Sequence, residues 1–240
     1  MTAPNWMFGP RWEITLKMHL DGCLHIGSGV SQEDPQLRDE KAKRDEKAKK
    51  VPEFAEVQRH KNGQALIPAT SLKGALRSQA PLRTSELDAL LGEQGEAEAG
   101  KGKIARLWLE GAIAAPLADG GFQGMTKNNG LRDQGFVKTG VRIDRQSGAA
   151  EDKYLYNREM IGPGNSFTAR ATLFLDGADE TVLEDQLAHL LAPLASEPGL
   201  MIGGQHRPAA GRLRLDGINI TRKAIDPPTL HQMEQAARLP

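Results

Sequence analysis

The strongest constraint on the fold is a change of hydrophobic period in the last third of the chain: alternating "SFTARATLFL", then helical "ETVLEDQLAHLLAPL", then alternating "GRLRLDGINI". Alternation at period two puts apolar residues on one face of a strand. Leu183, Leu187, Leu190, Leu191 and Leu194 instead recur at the period of an amphipathic helix. A strand, helix and strand in this order need a second half to close their core. The N-terminal part supplies it: Ile14, Leu16, Met18 and Leu20 alternate with Thr15, Lys17, His19 and Asp21, and a helical stretch follows near Ser71. The order strand, helix, strands, strand, helix, strand matches an α+β unit of the ferredoxin-like type.

At 240 residues and 39% hydrophobic content, the chain can form a single domain, 1–240, with long insertions. Segment 31–60 loses apolar periodicity and contains "RDEKAK" twice, at Arg38 to Lys43 and Arg44 to Lys49, so it reads as a charged insertion. Its acid-first pairs, Asp39 with Lys43 and Asp45 with Lys49, suit a short solvated helix. "SELDALLGE" reads as a helix capped by Ser85 with Asp88 three residues on, and "KIARLWLEG" as a short helix that puts Trp108 in the core. "AIAAP" and "FVKTGVRID" read as strands, and 222–240 as a C-terminal tail. Between these, 118–135 is a glycine-rich loop whose Phe122 and Met125 either face a partner or tuck back onto the domain.

Composition excludes several function classes. Lys plus Arg (31) balances Asp plus Glu (31), so a polyanion must be met by a local patch and not by a global field. The single Cys23 makes neither an internal disulfide nor a paired zinc site. No window approaches the ~18 consecutive apolar residues of a membrane span, and the first residues lack a secretory pattern. The expectation is a cytoplasmic protein with no membrane partner.

The glycine-bearing turns carry the chemistry. "LIPATSLKGALRS" is not a P-loop, because its lysine precedes the glycine and its hydroxyls precede the lysine; "HIGSGV" lacks the rest of a dinucleotide fingerprint. The first motif does offer Ser71 as an N-cap, free amides in a first helical turn, Lys73 inside that turn and Arg77 one turn later. That combination suits either a phosphate or an ordinary capped helix with two solvated cations. Arg142, Arg145, Lys153 and Arg158 cluster with Tyr154 and Tyr156, as cations and flat rings do in single-stranded nucleic-acid grooves, or as a polar surface hairpin does. "GGQHRPAAGR" adds Gly203, Gly204, Arg207 and Arg212, glycines for close backbone approach beside cations.

With "LHIGSG", "IPATSLKGALRS", "VRIDRQSGAAEDKYLYNREMI" and "IGGQHRPAAGRLRL" in this order, the chain resembles the RAMP superfamily, and within it the repeated backbone subunit of type III CRISPR effector complexes. The resemblance spans Leu24 to Leu215. It implies an RNA-recognition-motif-type core with a thumb hairpin, copies of which stack into a filament along a guide RNA beside other CRISPR effector subunits. Complementary target RNA pairs with that guide. Carried over, His25, Ser71, Lys73, Arg77, Gly203, Gly204, Arg207 and Arg212 would contact guide RNA, and Arg142, Arg145 and Arg158 would line the groove. The loop 118–135 would be the thumb, with Phe122 and Met125 at its tip.

Cleaving members of that family use an Asp after the first strand, with a divalent metal, to cut target RNA at regular intervals. The alignment here forks. Matching "VQRHKNGQALIPATSLKG" without gaps puts Phe54 at the aspartate position, with Glu53 and Glu56 nearby; matching "EDPQLRD" puts Glu33 or Asp34 there. A carboxylate can bind a hard cation and a phenyl ring cannot, so the ungapped match favours a non-cleaving chain and the gapped one makes Asp34 the catalytic and Mg²⁺-binding residue. His25 and His206 offer metal-free acid–base chemistry on a 2′-hydroxyl as a further alternative.

Overall fold

The computed structural model describes residues 10–33, 53–93, 104–115, 135–143, 146–175, 179–203 and 211–224, at some of them the backbone alone. Strand β1 (Arg11–Leu20) is the centre of the larger sheet: it pairs antiparallel with β9 (Ser166–Phe174) on one side and β11 (Arg212–Lys223) on the other. The far edge of β9 carries β5 (Leu107–Leu109) and β6 (Ala112–Ala114), and β6 pairs with β4 (Leu66–Ile67). The short β10 (Leu200–Met201) pairs with the start of β11. The order β11-β1-β9-β6 is the order of a ferredoxin-like sheet, with fourth strand, first, third and second side by side.

Alternation decides which face is buried. Trp12, Ile14, Leu16, Met18 and Leu20 of β1 and Phe167, Ala169, Ala171 and Leu173 of β9 point into one continuous core. Two helices cover it: α1 (Ala69–Gln79) through Leu72 and Leu76, and α3 (Glu180–Ala195) through its five leucines. The Asp179 carboxylate starts α3 by accepting the Thr181 amide at 2.9 Å. A third helix, α2 (Thr84–Leu91), packs against α1 and β5. Among the described residues no helix is long and apolar enough to cross a membrane.

β11 keeps its apolar residues on the core face by means of one bulge. Lys17 lies opposite Gly217 and Met18 opposite Leu215, so Asp216 is the extra residue and the parity of the inward set changes from 213 and 215 to 218 and 220. The Asp216 carboxylate meets His19 Nδ1 at 2.5 Å, and Asp21 meets the ring's other nitrogen at 2.9 Å. Ile218 and Ile220 still occupy core-face positions but are 44% and 45% exposed.

A second, four-stranded sheet runs β2 (Gly27–Glu33), β3 (Glu53–Val57), β8 (Ala150–Ile161), β7 (Gly135–Ile143). β7 and β8 form the long polar hairpin, and β3 pairs with β8 in parallel.

Several expectations are corrected. "KIARLWLEG" is not a helix, because cross-strand pairing of Leu107 to Leu109 with Leu173 to Ala171 overrides its local periodicity. Trp108 accordingly faces outward, 45% exposed, and packs edge-on against Phe174 at 5.1 Å. Helix α2 starts at Thr84, with the Glu86 carboxylate accepting the Arg83 amide at 2.8 Å, so Ser85 lies inside the first turn and is not the cap. Strands occupy the edges of segment 31–60, and β11 includes Arg222 and Lys223 at the head of the expected tail. Most of 118–135, with Phe122 and Met125, lies outside the described residues.

Leu16 and Ile218 are register partners with opposite exposure, 1% against 44%. Leu16→Ala is expected to cost about 2–5 kcal/mol of stability in urea unfolding, and Ile218→Ala about 1 kcal/mol or less. Equal losses would mean that the sheet is covered along its whole length.

Candidate nucleic-acid interface

Three of the glycine-bearing motifs, far apart in sequence, line one open groove of about 700 Å³. The β1–β2 loop supplies His25, Ile26 and Gly27; one face of α1 supplies Ser71, Gly74, Ala75 and Ser78; and the end of β10 supplies Met201 to Gly203. The helix residues are spaced i, i+3, i+4, i+7, so they form a single stripe. All are small, which lowers that wall and lets a ligand approach the helix backbone.

Each wall is fixed by hydrogen bonds to another element. The β1–β2 loop is bound through Leu24 to Ile161 in both directions (2.9 and 2.7 Å), through the Ile26 carbonyl to the Gln58 amide (2.7 Å), and through the Cys23 carbonyl to the Gly211 amide (2.8 Å). Gln79, at the end of α1, donates to the Met201 carbonyl at 2.7 Å and accepts from its amide at 2.9 Å, stitching the helix to β10. The loop after β10 is closed at its base by Ile202 donating to Gly211 at 2.7 Å. Gly211 and Gly203 have φ of +62° and +96°, and a Cβ at Gly203 would lie 2.9 Å from the His25 carbonyl. Only glycine allows both the turn and this approach.

His25 is held from below. Its Nδ1 lies 2.7 Å from the Glu159 carbonyl, and since a carbonyl only accepts, Nδ1 is the protonated nitrogen. Glu159 itself is buried, although it carries a charge. Its carboxylate pairs with Arg59 and accepts the Val57 amide at 3.0 Å, and Arg59 also donates to the Gly63 carbonyl at 2.8 Å. Gly135 faces this pair, and a Cβ there would come 2.6 Å from the carboxylate. The sequence reading missed Glu159 and Arg59. They lie 100 residues apart, and nothing local marks either one as buried.

The open end of α1 also faces the groove, at Thr70. The cap is Pro68, whose carbonyl accepts from Ser71 and Leu72 at 3.0 and 3.1 Å; Ser71 is therefore the third helical residue and not the N-cap. The proline fixes φ at −57° and begins the helix earlier than the hydroxyls suggest. The amides of Ala69 and Thr70 and the positive end of the helix remain as a fixed anion-attracting feature.

The two helix cations lie on the flank turned away from the small-residue stripe. Arg77 is committed to α2: it reaches Asp88 at 2.6 Å and also donates to the Gly92 carbonyl, with its side chain 9% exposed. This ties it to the fold on the flank away from the groove. Lys73 stays beside it, and burial, followed by the Arg77 guanidinium, pushes its ammonium below the usual lysine range.

The other expected residues are dispersed. Arg158 sits in β8 opposite Lys138 and next to Glu159, outside the groove. Arg212 pairs with Met201 at the loop base, and its Nε is buried without a hydrogen-bond partner among the described residues. Arg142 lies in β7, where the backbone alone is described; Asp34, Arg145, Gly204, Arg207 and His206 lie outside the described residues. Yet β2 and β3 bring the two alternatives of the alignment fork together. Gln32 is the register partner of Phe54, and Glu33 that of Glu53. Among the described residues no three His, Cys, Asp or Glu side chains gather as a metal site.

Arg77→Ala is expected to lower stability by about 1–3 kcal/mol in urea unfolding, because it leaves Asp88 and the Gly92 carbonyl unpaired, with the nucleic-acid affinity of the folded protein unchanged. Unchanged stability with weakened binding would return Arg77 to the interface.

A comparison with individually curated proteins finds no match. The model of the RAMP superfamily matches residues 20–214, a span that starts at the end of β1, contains every wall of the groove and ends within β11. The chain belongs to the RAMP superfamily, a family of CRISPR-associated RNA-binding proteins.

Proposed function

We propose that the groove holds the sugar–phosphate backbone of a guide RNA, and that this chain is the repeated backbone subunit of a type III or type III-derived CRISPR interference complex. In this reading it acts in the cytoplasm, assembles with copies of itself and other effector subunits along the guide, and positions complementary target RNA. The observation that carries the reading is the convergence of His25, the Ser71 to Ser78 stripe and Gly203 on one wall-to-wall groove. Small residues and glycines give backbone access, and a helix N-terminus supplies the attraction that the neutral net charge withholds.

Gly74 gives a clean test, since a Cβ there would meet nothing within 4 Å. Gly74→Glu is expected to keep the fold and weaken single-stranded RNA binding at least about tenfold at low salt, because it brings a carboxylate to the phosphates. Gly74→Ala is expected to raise stability by about 0.5–1 kcal/mol and to bind RNA as before. Unchanged RNA affinity in Gly74→Glu, measured by fluorescence anisotropy, would exclude the groove as the binding site.

A second reading, target-RNA cleavage, is supported by the Glu33–Glu53 register pair. Like charges directly opposite are unfavourable unless something neutralises them, and a divalent cation such as Mg²⁺ does so through carboxylate oxygens. Along β3, four residue steps at about 3.3 Å separate Val57, the partner of Gly27, from Glu53, the partner of Glu33, so the main chain of this pair lies roughly 13 Å from the edge of the groove. If this reading holds, assembled complex with Mg²⁺ cuts matched RNA into evenly spaced products, and Asp34→Ala or Glu33→Ala abolishes them. Intact RNA leaves the chain a binding and assembly subunit.

A further inference from the structure

His25 has a chemical asymmetry that the rest of the groove lacks. Its Nδ1–H is committed to the Glu159 carbonyl at 2.7 Å, so in the neutral ring Nε2 carries a lone pair and no proton. Nε2 is therefore an acceptor. Phosphate oxygens are acceptors too, and the two cannot bond to each other. A group that meets neutral His25 must bring its own hydrogen.

On a nucleic-acid strand the donors are base N–H groups and the ribose 2′-hydroxyl. The groove is poorly equipped for bases: no Phe, Tyr or Trp is among its described lining residues, and Gln79, the side-chain amide that could read a base edge, spends both ends on Met201. It is equipped for the backbone, with Gly27, Gly74 and Gly203 along its walls. Gly27 also keeps the approach to His25 clear, since a Cβ there would sit 3.4 Å from Nε2.

Building on the reading of this groove as a backbone site, we infer that His25 Nε2 accepts a hydrogen bond from a ribose 2′-hydroxyl, which makes His25 the residue by which the groove distinguishes RNA from DNA. The orientation of the ring depends on the Glu159 carbonyl, so the discrimination is built into the junction of the β1–β2 loop with β8.

One sequence made as RNA, as 2′-fluoro RNA and as DNA tests this by fluorescence anisotropy. The fluoro analogue keeps the RNA-like sugar pucker but has no hydroxyl proton to donate. The wild-type protein is expected to prefer RNA over both others by about fivefold, the worth of one hydrogen bond, and His25→Ala to bring all three to one level. Gly27→Ala, which keeps the ring and sets a methyl in van der Waals contact with Nε2 on the side a ligand would approach, is expected to reduce the preference as well, so the test survives if His25→Ala folds poorly. Equal wild-type affinity for RNA and 2′-fluoro RNA, or a preference that persists in His25→Ala, overturns the inference while leaving the groove as an RNA site. Binding of none of the three overturns both.

Discussion

The buried ion pair between Arg59 and Glu159 is the constraint on which the rest of the structure depends. A carboxylate taken out of water needs a counter-charge and further hydrogen bonds, and here Arg59 and the Val57 amide provide them. Meeting that need locks the end of β3 to β8 and forces a glycine at 135, at the start of β7. The same residue, through its main-chain carbonyl, sets the ring of His25. One buried charge thus links the four-stranded sheet to the loop that forms a wall of the groove. The other partner, Arg59, bridges to Ala65, just ahead of β4 and the Pro68 that starts α1.

The groove is built for access to main chain, not for charge. Its helix wall is a stripe of serines, glycine and alanine, while the cations of the same helix lie on the opposite flank, where Arg77 ties α1 to α2. On the proposed reading, attraction for a phosphate would come from the open helix end and backbone amides, which carry no rotamer entropy to lose on binding. This agrees with a chain of no net charge, which has no global field to attract a polyanion.

The parts of the fold with uninterrupted periodicity were legible in the sequence: β1, β9 and α3 each repeat an apolar residue often enough that one reading fits, and β11 was legible as a strand although its bulge at Asp216 was not. The short elements were not. Leu107 to Leu109 could be read as helix because three residues carry no clear period, and only pairing with β9, far along the chain, decides it. Ser71 and Ser85 looked like caps because hydroxyls favour that position, but Pro68 and the Glu86 carboxylate start those helices instead. The role of Arg77 was hidden for the same reason as that of Glu159, since its acceptors become neighbours only when α2 folds back on α1. The motifs of the candidate site were visible; their convergence, and the absence of Lys73 and Arg77 from it, required three dimensions. That the two branches of the alignment fork are neighbours in space was also hidden, since only the pairing of β2 with β3 sets Gln32 opposite Phe54 and Glu33 opposite Glu53.

The most direct test of the account is photo-crosslinking of the RNA-bound protein with single-stranded RNA that carries azidophenacyl groups on backbone phosphorothioates, read by mass spectrometry. The account predicts adducts on the residues of the β1–β2 loop around His25 to Gly27, on the Ser71 to Ser78 stripe and at Met201 to Gly203. Adducts confined to the Lys73 and Arg77 flank of α1, with none on these three segments, would contradict it.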